Sequence, residues 1–148
     1  MLSRLAYSSR GMMFSVLCHD EIPFSSLVDF QTQLSQYPQL AGMYHQSILG
    51  ELTYQVCPEW GASEADVSAS QPVRSSIHTL VLSGEYDPIT PPAWAEAAAM
   101  NLENAYLFEF PGFGHGVSGN PGCPQTILEQ FWRNPSTAPD AFCLKELQ

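Results

Sequence analysis

The chain has 148 residues, enough for one domain of ordinary size. Fifteen acids against five bases give a formal charge of −10, which excludes the basic footprint a nucleic-acid partner needs and disfavours an anionic membrane surface. The 45% apolar content is that of a globular protein, and no apolar run approaches the ~20 residues of a membrane span.

The first ten residues, Met1 to Arg10, carry two arginines and no long apolar run comes after them, so they do not read as a secretory signal. Met13 to Leu17 is short and apolar and is expected to form a buried strand, although five residues do not separate strand from helix. Pro23 and the pair Ser25-Ser26 announce a helix, with Leu27, Val28, Phe30 and Leu34 apolar at helical spacing. Pro38 ends that helix or starts the next. A second helix is expected over Leu40 to Leu49, with Gly50 as its terminator. A loop is expected from Cys57 to Gly61, and Ala62 to Ser76, rich in Ser, Ala and Pro, reads as an exposed connector.

Ile77 to Leu82 is nearly continuous in apolar residues, the pattern of a parallel strand buried on both faces. Pro91-Pro92 open a helix, where a proline loses no helical hydrogen bond, and Trp94 to Met100 has high helix propensity. Asn104 to Phe110 reads as a second strand. Gly112, Gly114 and Gly116 form a turn around His115, and Pro124 to Trp132 is the last helix, with Ile127, Leu128 and Phe131 on one face. After Pro135 the periodicity is lost. The order strand–helix–strand–helix specifies an α/β fold with a parallel sheet and right-handed crossovers. Two or three strands would leave an open edge of unpaired backbone groups. The expected division is a mostly helical segment and linker over 1–76 and an α/β region over 77–148.

Four cysteines, Cys18, Cys57, Cys123 and Cys143, are widely spaced with no C-x-x-C, which speaks against a zinc or redox site. They allow two disulfides in three pairings, and also four buried free thiols. Cys123 and Cys143 bracket the last helix and its exit, and Cys18 and Cys57 bracket the front segment. Disulfides would place the protein outside the cytosol, with any export signal on a longer parent chain.

Two residues carry candidate chemistry. Asp87 lies just beyond the strand Ile77–Leu82, at the carboxyl edge where α/β folds place their sites. His115 lies beyond the next strand at the same edge. Their separation of 28 residues is about one strand–helix–strand unit, so the two side chains can meet above neighbouring strands. A histidine acting as a base must keep its proton on Nδ1 and offer Nε2, and a buried carboxylate enforces that tautomer. The order acid then histidine is that of an α/β-hydrolase, whose serine precedes both. No G-x-S-x-G occurs upstream of Asp87, and Ser15, Ser83 and Ser118 do not occupy a glycine-flanked strand–turn–helix.

The residues Gly84, Asp87, Thr90 and Pro91, then Pro111, Gly114, His115 and Gly116, resemble the C-terminal region of α/β-hydrolase peptidases of the tripeptidyl aminopeptidase and proline iminopeptidase type (TAP-like). Ser15-Val16-x-Cys18, Cys57-x-x-Trp60, Cys123-Pro124 and Cys143 add to the likeness and point to secreted members. It covers about Gly11 to Cys143. The resemblance implies the C-terminal part of an α/β-hydrolase, a few parallel strands with flanking helices, preceded by a helical cap remnant. It implies Asp87 as the acid and His115 as the base of a Ser-His-Asp triad that cleaves peptide bonds from the amino terminus, with no metal or organic cofactor. Asp20 and Glu21 match, loosely, the cap carboxylates that hold a substrate's α-amino group. A complete fold of this kind needs about twice this length, at about 30 residues per βαβ unit. The nucleophile elbow, the oxyanion loop and the earlier strands have no counterpart here.

Three functions are therefore open. The chain is the C-terminal piece of a serine peptidase or esterase, inactive alone, whose partner is an upstream hydrolase half and whose parent takes a peptide or small ester. Alternatively it is a non-catalytic interaction module that buries its sheet edge against itself or a partner. Thirdly, Cys18 serves as a nucleophile in a small complete hydrolase, which requires an accessible, low-pKa thiol.

Overall fold

A computed structural model of the chain describes residues 9–45, 47 and 50–147. The chain divides into two compact units, with the boundary between Gln71 and Pro72.

The first unit is helical: α1 (Arg10–Val16), α2 (Leu27–Leu34), α3 (Pro38–Tyr44) and α4 (Glu51–Trp60). The segment expected as a strand, Met13 to Leu17, is instead helix. Ser9 caps α1 by accepting a hydrogen bond from the Met12 N–H, which supplies the nucleation that an apolar run of five cannot. From α1 the chain passes into one π-helical turn, Leu17–Glu21, and a 3₁₀ turn, Ile22–Phe24. Ser26 caps α2 through the Asp29 N–H, as the Ser-Ser pair predicts. Pro38 stands at the start of α3, where a missing N–H costs nothing.

Gly50 does not terminate a helix but precedes α4 as its N-cap. Its place is dictated by space: a Cβ there would lie 2.1 Å from the Tyr44 carbonyl oxygen. The second helix, expected to run to Leu49, ends at Tyr44 with His45 as its C-cap, and Gln46, Ile48 and Leu49 lie outside the described residues. Cys57 to Trp60, expected as loop, is the last turn of α4, and the helix stops only at Gly61, which adopts φ +74°. Pro58 lies inside α4 and removes one helical hydrogen bond.

This unit has a small core: Cys18 and Thr53 are buried, with a partly buried aromatic group of Phe30, Tyr44 and Tyr54. The disulfide Cys18–Cys57 ties the π-helical turn to α4.

The second unit holds two strands, β1 (Thr79–Gly84) and β2 (Ala105–Phe110), joined through α5 (Pro92–Ala99), with α6 (Cys123–Arg133) after them. The strands pair in parallel from Thr79↔Ala105 to Gly84↔Phe110. Phe110, Val117 and Ile127 form the buried cluster, with Leu80, Leu82, Phe108 and Leu144 packed against it. The disulfide Cys123–Cys143 pins the C-terminal 3₁₀ turn to the start of α6.

β1 is not buried on both faces as expected. Only Ser83 and Gly84 are buried along it, and Ile77, before its start, is 74% exposed. A two-stranded sheet explains this: each strand has one neighbour and one unpaired edge among the described residues.

Closing a loop of 39 residues stabilises by about 4 kcal/mol in the chain-entropy account, against about 3 for the 20-residue loop of Cys123–Cys143. The first unit also has the smaller buried core. Replacing Cys18 and Cys57 together by Ala is therefore expected to unfold the first unit first. Amide hydrogen exchange should show protection lost over α1 and α4 and retained in β1 and β2.

Candidate active site

Because β1 and β2 run parallel, the loops after Gly84 and after Phe110 leave the same edge of the sheet. They are then stitched together. The Glu85 N–H donates to the Phe110 carbonyl at 3.1 Å and the Tyr86 N–H to that of Phe113 at 2.9 Å. The Glu85 carboxylate accepts from the Gly112 N–H at 2.8 Å. The approach is so close that a Cβ on Gly84 would lie 2.4 Å from the Gly114 carbonyl oxygen and 2.6 Å from that of Phe113. Glycine at 84 is thus a steric requirement for seating the histidine turn. Gly112 and Gly116, on either side of His115, take φ +75° and +80°.

This places Asp87 and His115 in direct contact. His115 Nδ1 lies 2.9 Å from Asp87 Oδ2 and 3.1 Å from Oδ1. The Asp87 side chain is 5% exposed and the His115 ring 49% exposed. Asp87 Oδ1 also accepts from the N–H groups of Ile89 and Thr90, both at 2.9 Å, and Oδ2 accepts from the Thr90 hydroxyl at 2.7 Å. Burial by itself would raise the Asp87 pKa. The Thr90 backbone and hydroxyl, the Ile89 N–H and His115 outweigh it and hold the carboxyl below the usual carboxylate range. The acid is therefore a fixed anion facing an imidazole whose other nitrogen is free to face solvent. A cleft of roughly 330 Å³ opens beside the pair, lined by Leu80, Leu82, Val117, Ser118 and Leu128. A buried, ionised acid that orients a half-exposed histidine is the arrangement that makes Nε2 a general base.

A family model described as TAP-like protein matches residues 46–143, a span that includes both loops of this pair. The chain belongs to the TAP-like family of α/β-hydrolases. Neither a search of curated proteins nor one of solved structures returned a match. The parallel two-stranded sheet with its helices is compatible with part of an α/β fold.

Of the other candidate residues of this TAP-like chain, some belong to the first unit and others are chemically occupied. Asp20 and Glu21 are exposed on the π-helical turn of the first unit, Asp20 3.8 Å from His19 Nε2. All four cysteines are in disulfides, Cys18–Cys57 and Cys123–Cys143. This decides among the pairings, replaces the alternative of free thiols, and removes Cys18 as a nucleophile, since a sulfur bonded to sulfur has no thiolate to offer. Ser15 accepts from the Trp60 indole N–H at 3.1 Å and donates to the Gly11 carbonyl. Ser83 is buried within β1 with its hydroxyl unpartnered. Ser118 lines the cleft, yet no hydrogen bond joins it to His115 among the described residues. No helix among the described residues is long and apolar enough to cross a membrane.

Two arrangements escape sequence reasoning. Thr90 stands in the sequence only as a motif residue, whereas its hydroxyl touches both members of the pair, 2.7 Å from Asp87 Oδ2 and 3.2 Å from His115 Nδ1. The signal for it is the spacing Asp87-x-x-Thr90, which suits an aspartate that accepts from N–H groups two and three residues on. In the first unit, Glu51 accepts from Gln31 at 2.7 Å and lies 2.7 Å from His45 Nδ1, beside an apolar cavity of about 430 Å³ lined by Leu34, Pro38 and Ala41. The hydrogen bonds from His45 and Gln31 hold the Glu51 carboxyl below its ordinary range. Nothing in the spacing of Gln31, His45 and Glu51 announces that contact.

Two measurements test the geometry. Gly84→Ala should displace the turn around His115, which imidazole NMR would register as loss of the Asp87–His115 hydrogen bond. The second is pH dependence. The Asp87 pKa is lower in the folded chain than its ordinary 3.8, so its contribution is present above that value and is lost as pH falls below it. Urea unfolding should show the stability gap between wild type and Asp87→Asn narrowing from pH 7 to pH 3. A gap that stays constant would contradict the assignment.

Proposed function

We propose that the chain is the C-terminal portion of a serine hydrolase of aminopeptidase type, with Asp87 as the orienting acid and His115 as the general base. The observation that carries this reading is the 2.9 Å contact between His115 Nδ1 and the buried Asp87 carboxylate in a TAP-like chain. With its proton held on Nδ1, His115 presents Nε2 toward the cleft, where a serine hydroxyl would give up its proton as it attacks an acyl carbon. That serine and its oxyanion donors would come from a nucleophile-bearing hydrolase half outside this sequence, and the acyl group from a peptide or small ester. The helical first unit would belong to the cap over the site. Asp20 and Glu21, both exposed, would be free there to hold a substrate's α-amino group. Two disulfides favour an extracytoplasmic setting for the parent protein. The route calls for no metal or organic cofactor.

The same chain supports a second reading, an interaction module that associates with itself or with the missing half. The observation favouring it is the outer edge of each strand, unpaired among the described residues, with Ile77 and Leu107 exposed beside them. Light scattering separates the two readings, since a stable monomer that unfolds cooperatively counts against the module.

The hydrolase reading predicts that the purified chain does not cleave an aminoacyl p-nitroanilide or a p-nitrophenyl ester. Co-expression with the serine-bearing half of a TAP-like hydrolase should produce cleavage, and His115→Ala in that pair should lower kcat by roughly 10⁴-fold or more. Cleavage by the isolated chain that survives His115→Ala would contradict it.

A further inference from the structure

We propose that Thr90 is a positioning residue that locks the tautomer of His115. This rests on the reading of Asp87 and His115 as an acid–base pair and extends it to a third side chain. A neutral imidazole has one N–H donor and one lone-pair acceptor, and the proton can sit on either nitrogen. Three oxygens surround His115 Nδ1: Asp87 Oδ2 at 2.9 Å, Asp87 Oδ1 at 3.1 Å and Thr90 Oγ1 at 3.2 Å. An ionised carboxylate can only accept. A hydroxyl can donate or accept, so Thr90 is the one member of this group able to stabilise the wrong tautomer.

The geometry removes that option. Thr90 Oγ1 lies 2.7 Å from Asp87 Oδ2, a distance typical of a hydroxyl donating to a carboxylate. With its proton committed there, Oγ1 turns a lone pair toward Nδ1. All three oxygens are then acceptors, and only an Nδ1–H satisfies them. Moving the proton to Nε2 would set the Nδ1 lone pair against three oxygens. Thr90 could relieve this only by withdrawing its proton from Asp87. The N–H groups of Ile89 and Thr90 hold Asp87 Oδ1 independently of the Thr90 side chain. Removing the hydroxyl alone therefore weakens the tautomer lock without freeing the carboxylate.

The test is nitrogen NMR of ¹⁵N-labelled imidazole in the purified chain at alkaline pH, where the two tautomers have distinct signatures. Wild type and Thr90→Ser should show His115 with the proton on Nδ1. Thr90→Val, which preserves shape, should lower the ratio of the Nδ1–H to the Nε2–H form about fivefold, the equilibrium weight of one neutral hydrogen bond. Thr90→Ala should match it and carries the test if the valine variant does not fold. Asp87→Asn is measured alongside. An unchanged ratio in the Thr90 variants, with a fallen ratio in Asp87→Asn, overturns the role of Thr90 and leaves the acid–base pair intact. An unchanged ratio in Asp87→Asn as well overturns both.

Discussion

The parallel pairing of β1 with β2 holds the site together. Two parallel strands send their outgoing loops from the same sheet edge, and the register Gly84↔Phe110 ends both strands at the same level. An acid shortly beyond one strand and a histidine shortly beyond the other are then brought within reach of each other, and the hydrogen bonds between the two loops close the contact. An antiparallel pairing of the same two segments would put Asp87 and His115 at opposite ends. Glycine at 84 lets the pairing continue into the loops, because the carbonyls of Phe113 and Gly114 occupy the space a side chain would need.

The consequence of that contact is electrostatic. Asp87 is buried enough to be costly as an anion, yet two backbone N–H groups, a hydroxyl and an imidazole converge on it. These donors reverse the penalty of burial and fix the carboxylate in charge and direction. His115 keeps one face on this anion and one on the cleft. Among the described residues the outer edge of each strand has no partner strand, and Ile77 and Leu107 are exposed beside them. The unit thus combines a closely hydrogen-bonded site with a sheet of two strands among the described residues.

Much of the second unit is legible in the sequence because its signals are local. Pro91-Pro92, the apolar run ending at Leu82 and the glycines around His115 each state a backbone conformation directly. The alternation of strands and helices then implies the parallel sheet. The first unit is less legible. Met13 to Leu17 carries no period, and the capping bond from Ser9 that decides its state lies outside the run. Cys57 to Gly61 resembles a loop because of Pro58, but the helix carries the proline at the cost of one hydrogen bond and Gly61 supplies the real stop. The exposure of β1 escapes notice because an apolar run reports what a strand can bury, not whether neighbours are there to bury it. Thr90 shows the same limit at the site. Its motif position is plain in the sequence, whereas its place between a carboxylate and an imidazole depends on where two loops come together.

The acid–base pair requires a proton between His115 Nδ1 and the Asp87 carboxylate, and proton NMR of the purified chain at low temperature can detect it. The expected spectrum has a slowly exchanging, strongly downfield imidazole N–H signal that disappears in both Asp87→Asn and His115→Gln. A spectrum without such a signal, in a chain whose amide resonances show β1 and β2 folded and paired, would contradict the pairing of acid and base.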